Sequence, residues 1–429
     1  MARYDRIAPL EAPDRENAFP AWMVLRDLQG RERDMELARR ARLRFLALRP
    51  VRRLLDRGID NVPVESFERQ VEGVREELGH LSARDPERAR LSQFLHRILE
   101  RTPTALAAAT VDLGEISEAS GHYYAALECY LTALELARAY ALGPEEVLAL
   151  RLLGRVNRKT ARWAEAEMYY RRAIERALEM ADRAQWARAM DGLGLCYGYQ
   201  GNYPKARKIF EEVLERGKSW RDDYVVGTAY SSLCYNALTA GDLEAAIDYG
   251  WAALGLMPTI EERLPVLGNL GIAFSQLGLH AAAERCYRML AEHSTQLIIR
   301  GQAWSNYALS AAEAGNAEEF RARRRHLLEK AEEWRGEPWL NSWMHLQLGR
   351  GSYLIGDVDA TRNHLRTAIQ LAQTHGYNEV LIRADELLEA LEQGLEQAPA
   401  PVAERAGAAT KEIANAMASF ELVPVAAGA

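Results

Sequence analysis

The sequence predicts an all-α solenoid of stacked helix–turn–helix units, and three observations predict it. A Leu-Gly pair recurs at Leu113-Gly114, Leu153-Gly154 and Leu193-Gly194, forty residues apart. A turn residue follows each pair, at Gly121, Ala161 and Gly201. A small-large-small pattern then closes each unit: Ala126, Tyr130 and Ala133, then Ala166, Tyr170 and Ala173, then Ala206 and Phe210. A fixed period of this length marks units that bury their apolar faces against one another. With 48% hydrophobic residues in 429, the chain has enough apolar surface for that.

The elements follow in order. Residues 1–20 hold three prolines and no periodicity, and are expected to be disordered. Residues 21–103 read as an N-terminal helical region. Its first part is Arg-rich, with eleven Arg against six acids between 21 and 60. Leu43, Leu46, Pro50 and Leu54 mark one face, and Pro50 should kink or break the helix. Interspersed acids suggest that these arginines serve structural ion pairs. Val64, Phe67, Val71, Val74, Leu78 and Leu81 then alternate in steps of three and four, a narrow helical seam. Asp85-Pro86 supplies an N-cap and an N1 proline for the next helix. The resulting hairpin is expected to cap the open end of the array; a homodimer through these N-terminal helices is the alternative reading.

The array spans 104–395 in about seven repeats. The Leu-Gly glycine or its equivalent falls at Gly114, Gly154, Gly194, Cys234, Gly271, Ala308 and Gly349. The turns fall at Gly121, Ala161, Gly201, Gly241, Gly278, Gly315 and Gly356, where a helix ends in the left-handed region. Small residues let helices approach, and the aromatics at 130, 170, 210 and 287 fill the space left. Repeat six breaks the pattern: Phe320 stands where alanine is expected and Arg324 where an aromatic is. The register slips there or the helix pair is reshaped. Residues 396–429 read as a disordered Ala/Pro-rich tail. The alternative is a short docking helix, since Ile413, Met417 and Phe420 fall at i, i+4 and i+7.

This pattern resembles the tetratricopeptide repeat family, whose signature combines L-G-x-x-Y with a following A-x-x-x-F. The forty-residue spacing looks like a long-period form found in bacterial regulatory and peptide-sensing proteins. The resemblance implies a right-handed superhelical solenoid whose first helices line a concave groove. It implies a non-catalytic scaffold or adaptor that binds a protein or peptide there. The alternative is a peptide-responsive regulator that changes conformation on binding. Carried onto this chain, the groove positions are Arg151, Arg155, Arg158, Lys159, Arg188, Asp191, Tyr199, Tyr235, Asn236, Asn269 and Asn306. The spacing i, i+4, i+7 puts the three arginines of repeat two on one helix face. With Arg188 they would form a basic stripe suited to carboxylates, because a guanidinium offers two donors in plane. The asparagines would bond an extended peptide's backbone. The run from Arg321 to His326 lies on a second helix and reads as a solvated face.

Catalytic chemistry finds no support. Gly192-x-Gly194 and Gly349-x-Gly351 lie inside predicted helices, so they are not dinucleotide loops. No zinc-type spacing of Cys and His exists, and no cofactor or metal is expected. Cys129, Cys196, Cys234 and Cys286 are far apart and fit buried reduced thiols. Pairing of His122 with Cys129, or His280 with Cys286, reads as packing. A net charge of −7 argues against nucleic acid as partner. No apolar run suits a membrane span, so a cytoplasmic protein is expected.

Overall fold

A computed structural model describes residues 32–83, 85–119, 122–334, 336–394 and 406–422. The first twenty residues, the turn at Gly121 and the Ala/Pro linker from 397 to 402 lie outside the described residues. The described residues form nineteen α-helices and short 3-10 turns, in two compact units meeting at Gly201 and Asn202.

The first unit begins with α1 (Glu32–Arg57), α2 (Val64–Leu78) and α3 (Pro86–Arg97). α1 runs through Pro50 without a break, contrary to the sequence expectation. Proline costs a helix one N–H and crowds the preceding turn, and Leu48, Val51 and Leu54 pack tightly enough to outweigh that. The seam residues Phe67, Val71, Val74 and Leu78 are buried against α1, α3 and the first repeat. These four are covered within the chain, while Val64 at the start of the seam is exposed. Asp85 caps α3 as read, accepting from the Glu87 amide at 2.9 Å. The arginines of α1 do serve ion pairs, but their partners lie outside the stretch. Arg44 meets Glu87 at 2.6 Å, Arg40 meets Asp85 at 2.9 Å, and Arg52 meets Glu128 at 3.2 Å.

The array follows as α4 (Pro103–Ala119), α5 (Tyr123–Ala139), α6 (Gly143–Lys159), α7 (Trp163–Glu179) and α8 (Arg183–Tyr199). Each of these has 17 residues. Turns of three residues join them, which accounts for the forty-residue spacing of Gly114 and Gly154. Consecutive helices pack on one another, and first helix also packs on first helix: α4 on α6, and α6 on α8.

The second unit holds α9 (Tyr203–Trp220), α10 (Asp223–Thr239), α11 (Leu243–Leu256), α12 (Ile260–Gln276), α13 (His280–His293), α14 (Leu297–Glu313), α15 (Ala317–Lys330), α16 (Pro338–Leu354), α17 (Val358–His375), α18 (Asn378–Glu392) and α19 (Ala408–Ala418). Repeat six is reshaped. Its second helix α15 is followed by a 3-10 turn that buries Trp334, and α14 packs directly on α16. Phe320 is fully buried against Gly351, where any side chain would collide with its ring. Arg324, with no aromatic slot left to fill, reaches Asp357 at 3.2 Å. Arg323 binds Glu284 and Glu319, each at 2.7 Å, and lies 3.9 Å over the Tyr307 ring. Two members of the basic run are therefore pinned by ion pairs, while Arg321, Arg325 and His326 stay exposed. Part of the expected tail is also ordered, since α19 packs on α11 and α13.

The turn glycines adopt positive φ, as at Gly241 with φ 83, but the equivalent Ala161 is forced to φ 58. A Cβ in that region costs roughly 1–2 kcal/mol, of which glycine's greater unfolded-state freedom returns about half. Ala161→Gly should therefore stabilise the protein by about 0.5–1 kcal/mol, read as a rise in the thermal unfolding midpoint. An unchanged or lower midpoint would refute the strain at this turn.

Candidate functional site: a charged first-helix face

The site is built on α4, α6 and α8 of the first unit. Its foundation is a packing contact. The Tyr170 ring of α7 lies between Gly154 of α6 and Gly192 of α8, and a Cβ at Gly154 would stand 2.8 Å from the ring. Tyr130 of α5 sits in the same way on Gly114 of α4. Because the two rings thread between first helices, their hydroxyls emerge on the far side, among the charged residues. Tyr130 donates to Glu118 at 2.8 Å, and Arg158 reaches the Tyr170 hydroxyl at 3.5 Å.

Glu118 organises the basic residues around it. Its side chain is 3% exposed and receives Arg155 and Lys159, each at 2.8 Å. Burial alone would raise the Glu118 carboxyl, but Arg155 and Lys159 outweigh it and hold it below its ordinary value. Desolvation works against the Arg155 charge too, and Glu118 reverses that, leaving Arg155 more firmly protonated than usual. Arg155 also meets Glu115 at 3.3 Å. The predicted stripe is thus not uniformly basic: Arg155 and Lys159 are neutralised by acids one repeat earlier. The signal was in the sequence, since Glu115 and Glu118 stand forty residues before Arg155 and Arg158.

Arg151 differs from its neighbours. It is half-buried, its hydrogen bond runs to the neutral Gln185 at 3.0 Å, and among the described residues Glu115 acts on it only through the longer-range field. Desolvation, then Arg155 and Arg188, weaken its hold on a proton. Excess positive charge is therefore concentrated here. Arg188 of α8, exposed, adds to that charge, whereas the half-buried Asp191 acts on Arg158. Arg158 stacks at 5.2 Å over Tyr199, a ring 55% exposed. An aromatic face, a guanidinium and an arginine with a neutral partner thus share one helix layer.

The remaining predicted residues belong to the second unit. Asn236 of α10 is 5% exposed, so it is not a wall residue open to a peptide; its Oδ1 finds no hydrogen-bond donor. Tyr235 of α10 and Asn269 of α12 are half-buried. Asn306 of α14 accepts from Gln347 of α16 at 3.2 Å, and Arg350 donates to Gln347 at 2.8 Å. A separate cleft of about 350 Å³ opens between α13 and α15 over Trp304 and Tyr307, and no predicted residue lines it.

The thiols offer no nucleophile. Burial pushes Cys234 up to about 12 and Cys196 up to about 11, and raises Cys129 and Cys286 further. Burial also lowers His122, to about 4, and His280. Among the described residues, no group of three or more His, Cys, Asp or Glu could hold a metal ion. Nor is any described helix long and apolar enough to cross a membrane.

Models of the tetratricopeptide repeat match residues 105–179 and 186–219. No curated protein matches the chain. Among solved structures, the apo form of RapI matches with a TM-score of 0.42 and 14% identity, covering 82% of this chain and 100% of that chain.

The Glu118 cluster makes a stability prediction. Replacing one member of a buried ion pair costs about 3–5 kcal/mol, and Lys159 should keep Arg155→Met near the lower end. Because the folded Glu118 carboxyl titrates below its ordinary 4.5, its contribution is present above that pH and lost as pH falls through the folded value. The gap between wild type and Arg155→Met in urea unfolding should be large at pH 7 and shrink as the pH is taken progressively below the ordinary 4.5. A gap that stays constant through the whole acid titration would mean that Arg155 acts by packing alone.

Proposed function

We propose that the chain, which matches models of the tetratricopeptide repeat over 105–179 and 186–219, is a non-catalytic interaction module holding an extended peptide or protein segment along α4, α6 and α8. The observation that carries this reading is Arg151: a half-buried guanidinium beside Arg155 and Arg188, hydrogen-bonded to the neutral Gln185. Such a group stabilises an incoming carboxylate more than a solvated one does, because part of its desolvation has already occurred on folding. The Tyr199–Arg158 stack supplies a flat, rigid anchor next to it. Aromatic and arginine side chains dominate binding energy at interfaces of this kind. The preferred segment carries an acidic side chain for Arg151 and an apolar or aromatic residue for Tyr199.

A displayed library of linear peptides, selected on the full chain, tests this. Enriched sequences should combine an acid with an apolar residue. A hydrogen bond to a charged group is worth about 1.5–3 kcal/mol, so Arg151→Gln should weaken them about tenfold to a hundredfold. Tyr199→Ala should weaken them as well, while Arg321→Gln on α15 should not. Selected peptides that bind Arg151→Gln and Tyr199→Ala as tightly as wild type would place the interaction elsewhere.

A further inference from the structure

The C-terminal helix α19 lies in a groove between two second helices, α11 and α13. Met417 is fully buried there, Ala414 and Leu422 nearly so, and Phe420 meets Trp251 edge to face at 5.7 Å. The outer face, with Lys411, Glu412 and Asn415, is exposed. The groove also reads helix direction. Glu244 of α11 accepts the Gly407 amide at 2.6 Å, at the helix N-terminus. Arg285 of α13 donates to the Phe420 carbonyl at 2.7 Å, just beyond the C-terminus. An acid at the positive end of the helix dipole and a base at the negative end favour one orientation over the reverse.

We propose that this groove is a self-recognition site that accepts the C-terminal helix of a second copy in exchange for its own. Three features support this. An 11-residue helix is too short to persist alone, so α19 forms only when a groove receives it. When it leaves, the pocket over Trp251 and the core around Tyr287 and Leu290 loses its apolar cover, and an identical helix restores every contact. Finally, α19 joins the array only through residues 395–405, and its recorded partners lie on α11 and α13, so the fit is independent of which copy supplies the helix.

Tether length provides the test. Deleting residues 396–403 leaves three linking residues, a reach of about 14 Å. That is shorter than the roughly 16–20 Å of two repeat widths separating α18 from the groove. The shortened chain should sediment at twice the monomer mass or more, with helicity retained, because its helix can dock only in a second copy. Adding Met417→Glu should return it to the monomer; Arg285→Glu, a rim change that leaves the core intact, should do the same if the core variant fails to fold. In the full-length chain carrying either substitution's tail change at Met417, a fluorescent peptide of residues 406–422 should bind at least tenfold more tightly than it binds wild type, whose own helix competes. A shortened chain that stays monomeric, or a dimer that survives both substitutions, would overturn the proposal.

Discussion

The rest of the structure depends on the contact between an aromatic ring and the glycines on either side of it. Tyr170 fits between α6 and α8 only because Gly154 and Gly192 present no Cβ to it. Tyr130 on Gly114 and Tyr287 on Gly271 repeat the contact, the latter leaving a Cβ 2.6 Å from the ring. Close-packed interiors do not absorb such overlaps. Each contact therefore sets how near successive first helices lie, and with that the spacing of everything their outer faces carry. Repeat six keeps one half of the constraint. Phe320 meets Gly351 of the following repeat, as Tyr170 meets Gly192, while Ala308 stands at the glycine position of its own first helix.

The same contact links packing to the candidate site. A tyrosine ring buried between first helices has its hydroxyl on the side where the charged residues stand. Tyr130 and Tyr170 are thus both spacers and hydrogen-bonding partners of Glu118 and Arg158. Phenylalanine at either position would keep the spacing and lose the polar link. Glu118 then divides the basic residues into two kinds. Arg155 and Lys159 are tied to it and hold repeat one to repeat two, while Arg151 bonds to the neutral Gln185. Ion pairs contribute to fold in the first case, and in the second a guanidinium is left with a neutral partner.

Charge performs a comparable task for the two helices outside the array, α1 and α19. Arg40, Arg44 and Arg52 fasten α1 through acids far along the chain, at Asp85, Glu87 and Glu128. Glu244 and Arg285 orient α19 through its backbone termini. In both places apolar burial supplies most of the attraction and the charges select one arrangement, since burial is non-directional while a hydrogen-bonded charge is not.

The helical array was legible in the amino-acid sequence because its signals are periodic and local. Leu-Gly pairs, positive-φ glycines and alternating small and large residues recur at spacings set by helix length alone. The three arginines of repeat two could be placed on one face for the same reason. The repeat spacing brought Glu115 and Glu118 into the register of Arg155 and Arg158, but that Glu118 takes Arg155, 37 residues away, is decided only when α4 and α6 are side by side. Asn236 looked like a groove residue by register, and packing buried it. The spacing of Ile413, Met417 and Phe420 announced an apolar stripe, but a stripe that short becomes a helix only where a groove completes it. Local spacing sets the elements of this protein; the choice of partner for each charge and each apolar face is made in three dimensions, where residues distant in sequence compete for the same contact.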